Sequence, residues 1–167
     1  MPHIQGFPPI CRSDAQTLIL GSMPSRESLA RQKYYAHPRN SFWPIVTGLL
    51  GITTTDYAGR ALQVTAGGIA IWDVLQACTR HSSLDSDIDD RSIVTNDFST
   101  FFEQHPGITR VFFNGAKAES VYMKHVLPGL AVGQAAITLL RLPSTSPANA
   151  AMTVEAKLEK WRAIVAA

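Results

Sequence analysis

Residues 18–43, LILGSMPSRESLARQKYYAHPRNSFW, decide how this chain is read. Leu18, Ile19 and Leu20 run into Gly21, the pattern of a strand buried on both faces that ends in a tight backbone turn. The turn is Gly21-Ser22-Met23-Pro24. In the polar connection that follows, Arg26, Arg31, Lys33 and Arg39 outnumber the single acid Glu27, so the segment suits a polyanion. It then delivers Tyr34, Tyr35, His37 and Asn40 just ahead of an apolar run starting at Phe42. Backbone amides at a strand end, cations, aromatic faces and a carboxamide are the parts that hold a nucleotide with its base exposed.

Outward from that stretch, strand and helix patterns alternate. Residues 41–50 read as a helix with Ser41 as N-cap, Pro44 in the first turn and Gly51 as its stop. A polar helix over 56–64 precedes a buried strand over 68–74, whose end presents Asp73. Residues 95–105 read as a helix with Phe98, Phe101 and Phe102 inward. Residues 110–114 form a third strand closed by Gly115, with helical spacing over 116–126. A fourth strand, 136–142, runs into LPSTSPAN at 142–149. The last helix starts near Thr153 and is expected to turn Val154, Leu158, Trp161 and Val165 toward the sheet. Residues 1–16 read as an irregular lead-in. The alternation predicts an α/β fold, a three-layer α/β/α sandwich around a central four-stranded parallel sheet. Ligands of such sheets bind beyond the carboxyl ends of the strands. Four ends then converge: Gly21 to Pro24, Trp72 with Asp73, Asn114 with Gly115, and Leu142 to Ser146.

With 167 residues, 46% of them apolar, the chain is expected to form a single domain over 1–167 that buries about 70% of its unfolded surface. The formal charge of +2 does not by itself identify a nucleic-acid protein. No apolar run has transmembrane length, and residues 1–12 lack the charged start and apolar stretch of a secretory signal, so a cytoplasmic protein is expected. Cys11 and Cys78 cannot supply a disulfide framework, a four-Cys zinc site or an iron-sulfur cluster. No metal and no cofactor are expected. Asp85, Asp87, Asp89 and Asp90 form an acidic cluster expected to face away from phosphates. An EF-hand is excluded, because the sixth position after Asp85 is Asp90 and the twelfth is Asn96. No Walker A loop, GxSxG elbow or HExxH helix is present.

GSMPS at 21–25, YYAHPRNSFW at 34–43 and LPSTSPAN at 142–149 resemble the uracil-DNA glycosylase superfamily, and in detail its hypoxanthine (deoxyinosine) DNA glycosylase branch. Mismatch-specific uracil glycosylases carry a similar aromatic-Ala-His-Pro-x-Asn-x-Phe-Trp run. The resemblance spans roughly residues 5–165. It implies the uracil-DNA glycosylase-like fold and a monofunctional DNA N-glycosylase of base excision repair, a hydrolase acting on N-glycosyl bonds. Such an enzyme flips a deaminated base, foremost hypoxanthine, out of DNA and hydrolyses its bond to the sugar. The implied partner is DNA containing deaminated bases, with the protein a monomer. A mismatch-type uracil or xanthine glycosylase, a non-catalytic DNA-binding module on the same fold, and a lyase using Lys33 or Lys117 are the other readings.

Base release passes through an oxocarbenium-like sugar, so the site must stabilise positive charge at the sugar and negative charge on the base while placing one water. The resemblance puts the catalytic Asn at Asn40, which would orient water; the alternative is an Asn that caps the nearby helix. Backbone amides of Ser22 and Met23 would bind the base carbonyl. Many branches carry an acid or amide where this chain has Met23, and a His where it has Leu142, which argues against efficient uracil release. Tyr35 aligns with the aromatic that stacks on the flipped base; core packing is its rival, and Tyr34 is the core member of the pair. Asp73 sits where relatives place a base reader, the alternative being a structural cap, and Asn114 is expected to face the base as well. Ser144, Ser146, Lys117 and Arg39 are the candidates for DNA phosphates, with Lys117 otherwise a surface lysine. His37 would move a proton, bind a phosphate or brace its loop, and Arg80 and Ser83 would reach the DNA backbone. No bulky side chain marks the tip of 142–149. The residue that fills the vacated stack is therefore expected to be small or to come from 26–33.

Overall fold

The computed structural model describes residues 2–166. In chain order the strands are β1 (His3–Gln5), β2 (Thr17–Gly21), β3 (Ile69–Asp73), β4 (Leu75–Thr79), β5 (Val94–Thr95), β6 (Arg110–Asn114) and β7 (Thr138–Leu142). The helices are α1 (Arg26–Arg31), α2 (Phe42–Leu50), α3 (Tyr57–Ala66), α4 (Phe98–Gln104), α5 (Ala116–Val121), α6 (Val132–Ala135) and α7 (Val154–Trp161). The four expected strands form one parallel sheet in the order β3-β2-β6-β7. Alternate residues of each strand feed two cores, as the pleat requires. Leu18, Leu20, Ala70, Trp72, Val111 and Phe113 pack with the phenylalanines of α4 and with Tyr122 beyond α5. Ile19, Ile71 and Phe112 pack on the other face with Phe42, Val46 and Trp161 of α2 and α7. The result is the expected three-layer α/β/α sandwich.

The chain leaves β2 for β3 on one side and returns to β6 on the other. The strand order therefore reverses between β2 and β6, and the crevice at their carboxyl ends opens beside Gly21 and Asn114.

Several local expectations change. The apolar run 69–79 is two strands: Val74 alone separates β3 from β4, and β4 joins β1 and β5 in a small antiparallel sheet of order β1-β4-β5. Val74 N–H donates to the Gly21 carbonyl at 2.8 Å and Leu75 N–H to Ser22 at 3.1 Å, so this turn clamps the end of β2. Residues 26–31, read as loop, are helical, with the Ser25 hydroxyl accepting from Ser28 N–H at 3.1 Å. The helix read over 95–105 begins only at Phe98, because Thr95 is in β5 and Asp97 caps α4 through Thr100 N–H. Leu158 and Trp161 face the sheet as expected, but Val154 and Val165 are 51% and 46% exposed, and Lys157 and Ile164 complete the inner face in their place. The lead-in supplies β1; Met1 lies outside the described residues. Among the described residues no helix is long and apolar enough to cross a membrane, and no cluster of His, Cys, Asp and Glu could hold a metal.

Candidate active site

At the β2/β6 switch point lies a cavity of about 480 Å³ that brings together Ser22, Tyr35, Asn40, Asp73, Asn114 and Ser144. Met23 and Ser146 also line it. Arg39 and Lys117 do not. Lys117 Nζ is paired with Asp90 at 2.7 Å, so its charge is spent within the protein, and Arg39 is exposed beside His37, whose Nδ1 accepts its backbone N–H.

The narrow end is built around Gly21. A Cβ there would stand 2.5 Å from Asp73 Oδ1 and 3.0 Å from the Tyr35 hydroxyl, so glycine lets these two groups approach the strand. Asp73 is 3% exposed, and its Oδ2 has no hydrogen-bond partner among the described residues. Burial first, and the nearby Asp85 carboxylate second, push its pKa up to about 7, against a smaller opposing pull from the Arg80 guanidinium. The Tyr35 hydroxyl is likewise buried without a partner among the described residues. Burial and then Asp73 drive its pKa upward, against a smaller opposing pull from the nearby Asn114 side chain, whose geometry falls short of a hydrogen bond. Its ring stacks on Phe42 at a centroid distance of 3.9 Å, leaving one face committed to α2. The residue holds a left-handed φ of 54°. Both neighbours are fixed: Tyr34 N–H donates to the Tyr57 hydroxyl at 3.0 Å, and Ala36 N–H donates to Ser28 Oγ at 3.1 Å. Tyr34 itself is core, 4% exposed, with its hydroxyl donating to the Pro8 carbonyl.

Asn40 is half-buried, lines the cavity and caps the helix, the last as its alternative reading expected. Its Oδ1 accepts from Phe42 N–H at 2.9 Å at the start of α2, while Ser41, expected as the cap, makes no side-chain cap bond. That bond orients the carboxamide and leaves its oxygen a second lone pair. Met23 is 7% exposed, and its thioether belongs to the core.

Asn114 is used differently. Its Nδ2 donates to Thr145 Oγ1 and its Oδ1 accepts from Thr145 N–H, both at 2.9 Å. Thr145, 1% exposed between two serines, was not singled out by sequence, although a buried strand-end Asn calls for just such a partner. Around it, five successive carbonyls are held. Leu142 accepts from Gly115 N–H, Pro143 from Trp161 Nε1, Ser144 from Asn149 Nδ2, Thr145 from Ser41 N–H and Ser146 from Lys157 Nζ. The Ser144 and Ser146 hydroxyls accept N–H groups within their own loop at 3.1 Å.

The segment following β4 also lines the cavity, through Ser83, Leu84, Asp85 and Ser86. Asp85, expected to face away from the site, accepts a 2.6 Å hydrogen bond from the Ser22 hydroxyl. Ser83 accepts from Arg26 N–H at 2.9 Å, so it serves the first motif. Arg80 is 2% exposed and donates to the Pro24 carbonyl at 2.6 Å. It therefore supports the Gly21-to-Pro24 turn from beneath, and burial lowers its pKa.

A sheet of this order with a polar cavity at its switch point, flanked by these two motifs, defines a nucleotide-handling α/β domain. The chain belongs to the uracil DNA glycosylase superfamily, whose family model matches residues 8–165. It is 35% identical over 162 residues, 96% of each chain, to a hypoxanthine DNA glycosylase of Methanosarcina acetivorans. A hypoxanthine DNA glycosylase of Methanosarcina barkeri is 35% identical over 116 residues, 68% of this chain and 72% of that one. The solution NMR structure of a candidate uracil DNA glycosylase from Methanosarcina acetivorans superposes with a TM-score of 0.79 at 33% identity, covering 98% of this chain and 96% of that one.

Proposed function

We propose that the protein, acting as one monomeric domain on cytoplasmic DNA, is a monofunctional glycosylase that releases hypoxanthine from deoxyinosine without metal or cofactor. The observation that carries this reading is the meeting of Asn40, Asp73 and the LPSTSPAN loop around one cavity at the switch point. The relatives named above support the substrate.

In the proposed step the bond from sugar C1′ to base N9 breaks with its electron pair leaving on the base. A water oxygen then adds to C1′, and the proton it loses passes through solvent to the departed purine anion, so the products are the abasic sugar hydroxyl and neutral hypoxanthine, with Asp73 still protonated. Asn40, held by its bond to Phe42 N–H, uses its remaining lone pair to place that water. Asp85 draws the Ser22 proton toward itself and sets negative charge at the cavity edge, complementary to the sugar cation. Asp73 acts in its protonated form, donating to O6 or N7 of the departing purine; an ionised carboxylate there would repel the charge the base acquires. Tyr35 forms the wall against which the base lies. Ser144 and Ser146 donate to the flanking phosphates from a loop that is already fixed. Leu142 is buried and apolar, and this chain has no donor at that position for a uracil oxygen.

Release from oligonucleotides containing deoxyinosine, deoxyxanthosine or deoxyuridine tests the assignment. Deoxyinosine is expected to react fastest. Robust uracil release with no hypoxanthine release would overturn the substrate, and tight binding to deoxyinosine DNA with no release over many hours would overturn catalysis.

A further inference from the structure

Flipping a base leaves a gap in the duplex stack, and the enzyme must fill it or the stack recloses on the base it has just lost. The LPSTSPAN loop brings no large apolar side chain to the cavity, which it lines with Ser144, Thr145, Ser146, Ala148 and Asn149. The segment after β4 offers something else. Leu84 is 47% exposed, and of the large apolar side chains left exposed among the described residues it alone lines the cavity. A leucine left half in water forgoes part of the stabilisation its full burial would contribute, so its position at this mouth asks for a surface to cover it.

The presentation of Leu84 is rigid. Its N–H donates to Ser82 Oγ at 2.9 Å and its carbonyl accepts from Asp87 N–H at 3.1 Å. Its neighbours are tied to the first motif on both sides, Ser83 through Arg26 N–H and Asp85 through the Ser22 hydroxyl. Ile88, just beyond, is buried in the core. Of the carboxylates in this segment, Asp90 is paired with Lys117 and Asp89 with Arg91, while Asp85 and Asp87 accept hydroxyl hydrogen bonds from Ser22 and Ser82 and keep their charge.

We infer that Leu84 is the wedge that enters the duplex stack as the base leaves it. The assignment rests on reading the cavity as a glycosylase site, and its occupant is the gap in a double-stranded substrate. A single strand has no paired stack to hold open, so the wedge matters most in a duplex.

The test compares single-turnover release of hypoxanthine from duplex and single-stranded deoxyinosine oligonucleotides by wild type, Leu84→Ala and Leu84→Met. The ratio of duplex to single-strand rate is expected to fall about 10- to 100-fold in Leu84→Ala and to stay within about threefold of wild type in Leu84→Met, which restores apolar bulk. A 2-aminopurine next to the lesion gives a readout independent of chemistry: its fluorescence rises on wild-type binding and rises much less with Leu84→Ala. An equal loss on both substrates, or an unchanged ratio, overturns the wedge while leaving the glycosylase reading intact. If wild type releases no base, the glycosylase reading fails, and a 2-aminopurine response that depends on residue 84 still decides the wedge.

Discussion

Two carboxamides line the same cavity, and the fold treats them in opposite ways. Asn114, at the end of β6, spends both of its polar atoms on Thr145 and so fastens the second motif to the sheet. Asn40, in the first motif, gives one lone pair to Phe42 N–H and keeps the rest of its hydrogen-bonding capacity for the cavity. The same contrast runs through the regions around them. The LPSTSPAN side is a frame in which successive carbonyls are occupied by protein donors. The side formed by the first motif and the end of β3 holds the groups with unmet needs, Asp73 Oδ2 and the Tyr35 hydroxyl above all. Shared residue type and shared location do not imply shared work; what is left unpaired does.

The sharpest way to break this contrast is to truncate each carboxamide. Asn40→Ala is expected to lower the single-turnover rate on the order of 10²- to 10³-fold, the range for losing one group aimed at transition-state charge. Asn40→Ser keeps a helix-capping oxygen and should recover melting temperature without recovering rate, which separates the cap from the chemistry. A rate within tenfold of wild type in Asn40→Ala would make Asn40 a cap alone.

The next test is pH. With Asp73 raised to about 7 and needed protonated, kcat/KM for deoxyinosine release is expected to fall about tenfold per pH unit above 7. Asp73→Asn should lose that limb of the profile. Stability carries the same sign. Because the folded pKa exceeds the ordinary 3.8, the folded chain holds the extra proton between those values. The contribution is complete below about pH 4 and is lost as pH rises through 7. The melting temperature of Asp73→Asn relative to wild type should therefore climb across that window and level off above it. A flat difference would sink the assignment of the raised carboxyl.

Asn114→Ala is the counterpart to Asn40→Ala. It strips Thr145 of two partners and is expected to cost about 1–3 kcal/mol of stability, read by calorimetry at roughly 2–4 °C per kcal/mol for a chain of this size. Activity should drop less than in Asn40→Ala. A hundredfold loss of rate at an unchanged melting temperature would move Asn114 from frame to base contact. The smallest effect expected is that of Lys117→Ala, which should change release by less than about twofold, because the lysine is already engaged by exposed Asp90.

The parallel sheet was legible because strands buried on both faces, such as Leu18 to Gly21 and Arg110 to Asn114, read as short apolar runs ending in glycine or asparagine. The small antiparallel sheet was not, since one apolar run conceals the turn at Val74. In the site, the residues inside the two motifs could be singled out because their spacing is local. Asp85 and Leu84 could not. Leu84 sits in a polar stretch and Asp85 in an acidic cluster that reads as a solvated face, and the bonds from Ser22 to Asp85 and from Arg26 to Ser83 exist only once distant parts of the chain have folded together. Arg80 was misread for a related reason: a cation near a nucleic-acid site looks like a phosphate ligand until burial shows it holding the Pro24 carbonyl.

Anchoring the second motif through main-chain oxygens has a consequence for substitution. A scaffold gripped by its peptide groups keeps its register through contacts that no single loop side chain supplies, so replacing the hydroxyl at 144 or 146 removes one bond within the loop and leaves the five carbonyl anchors in place.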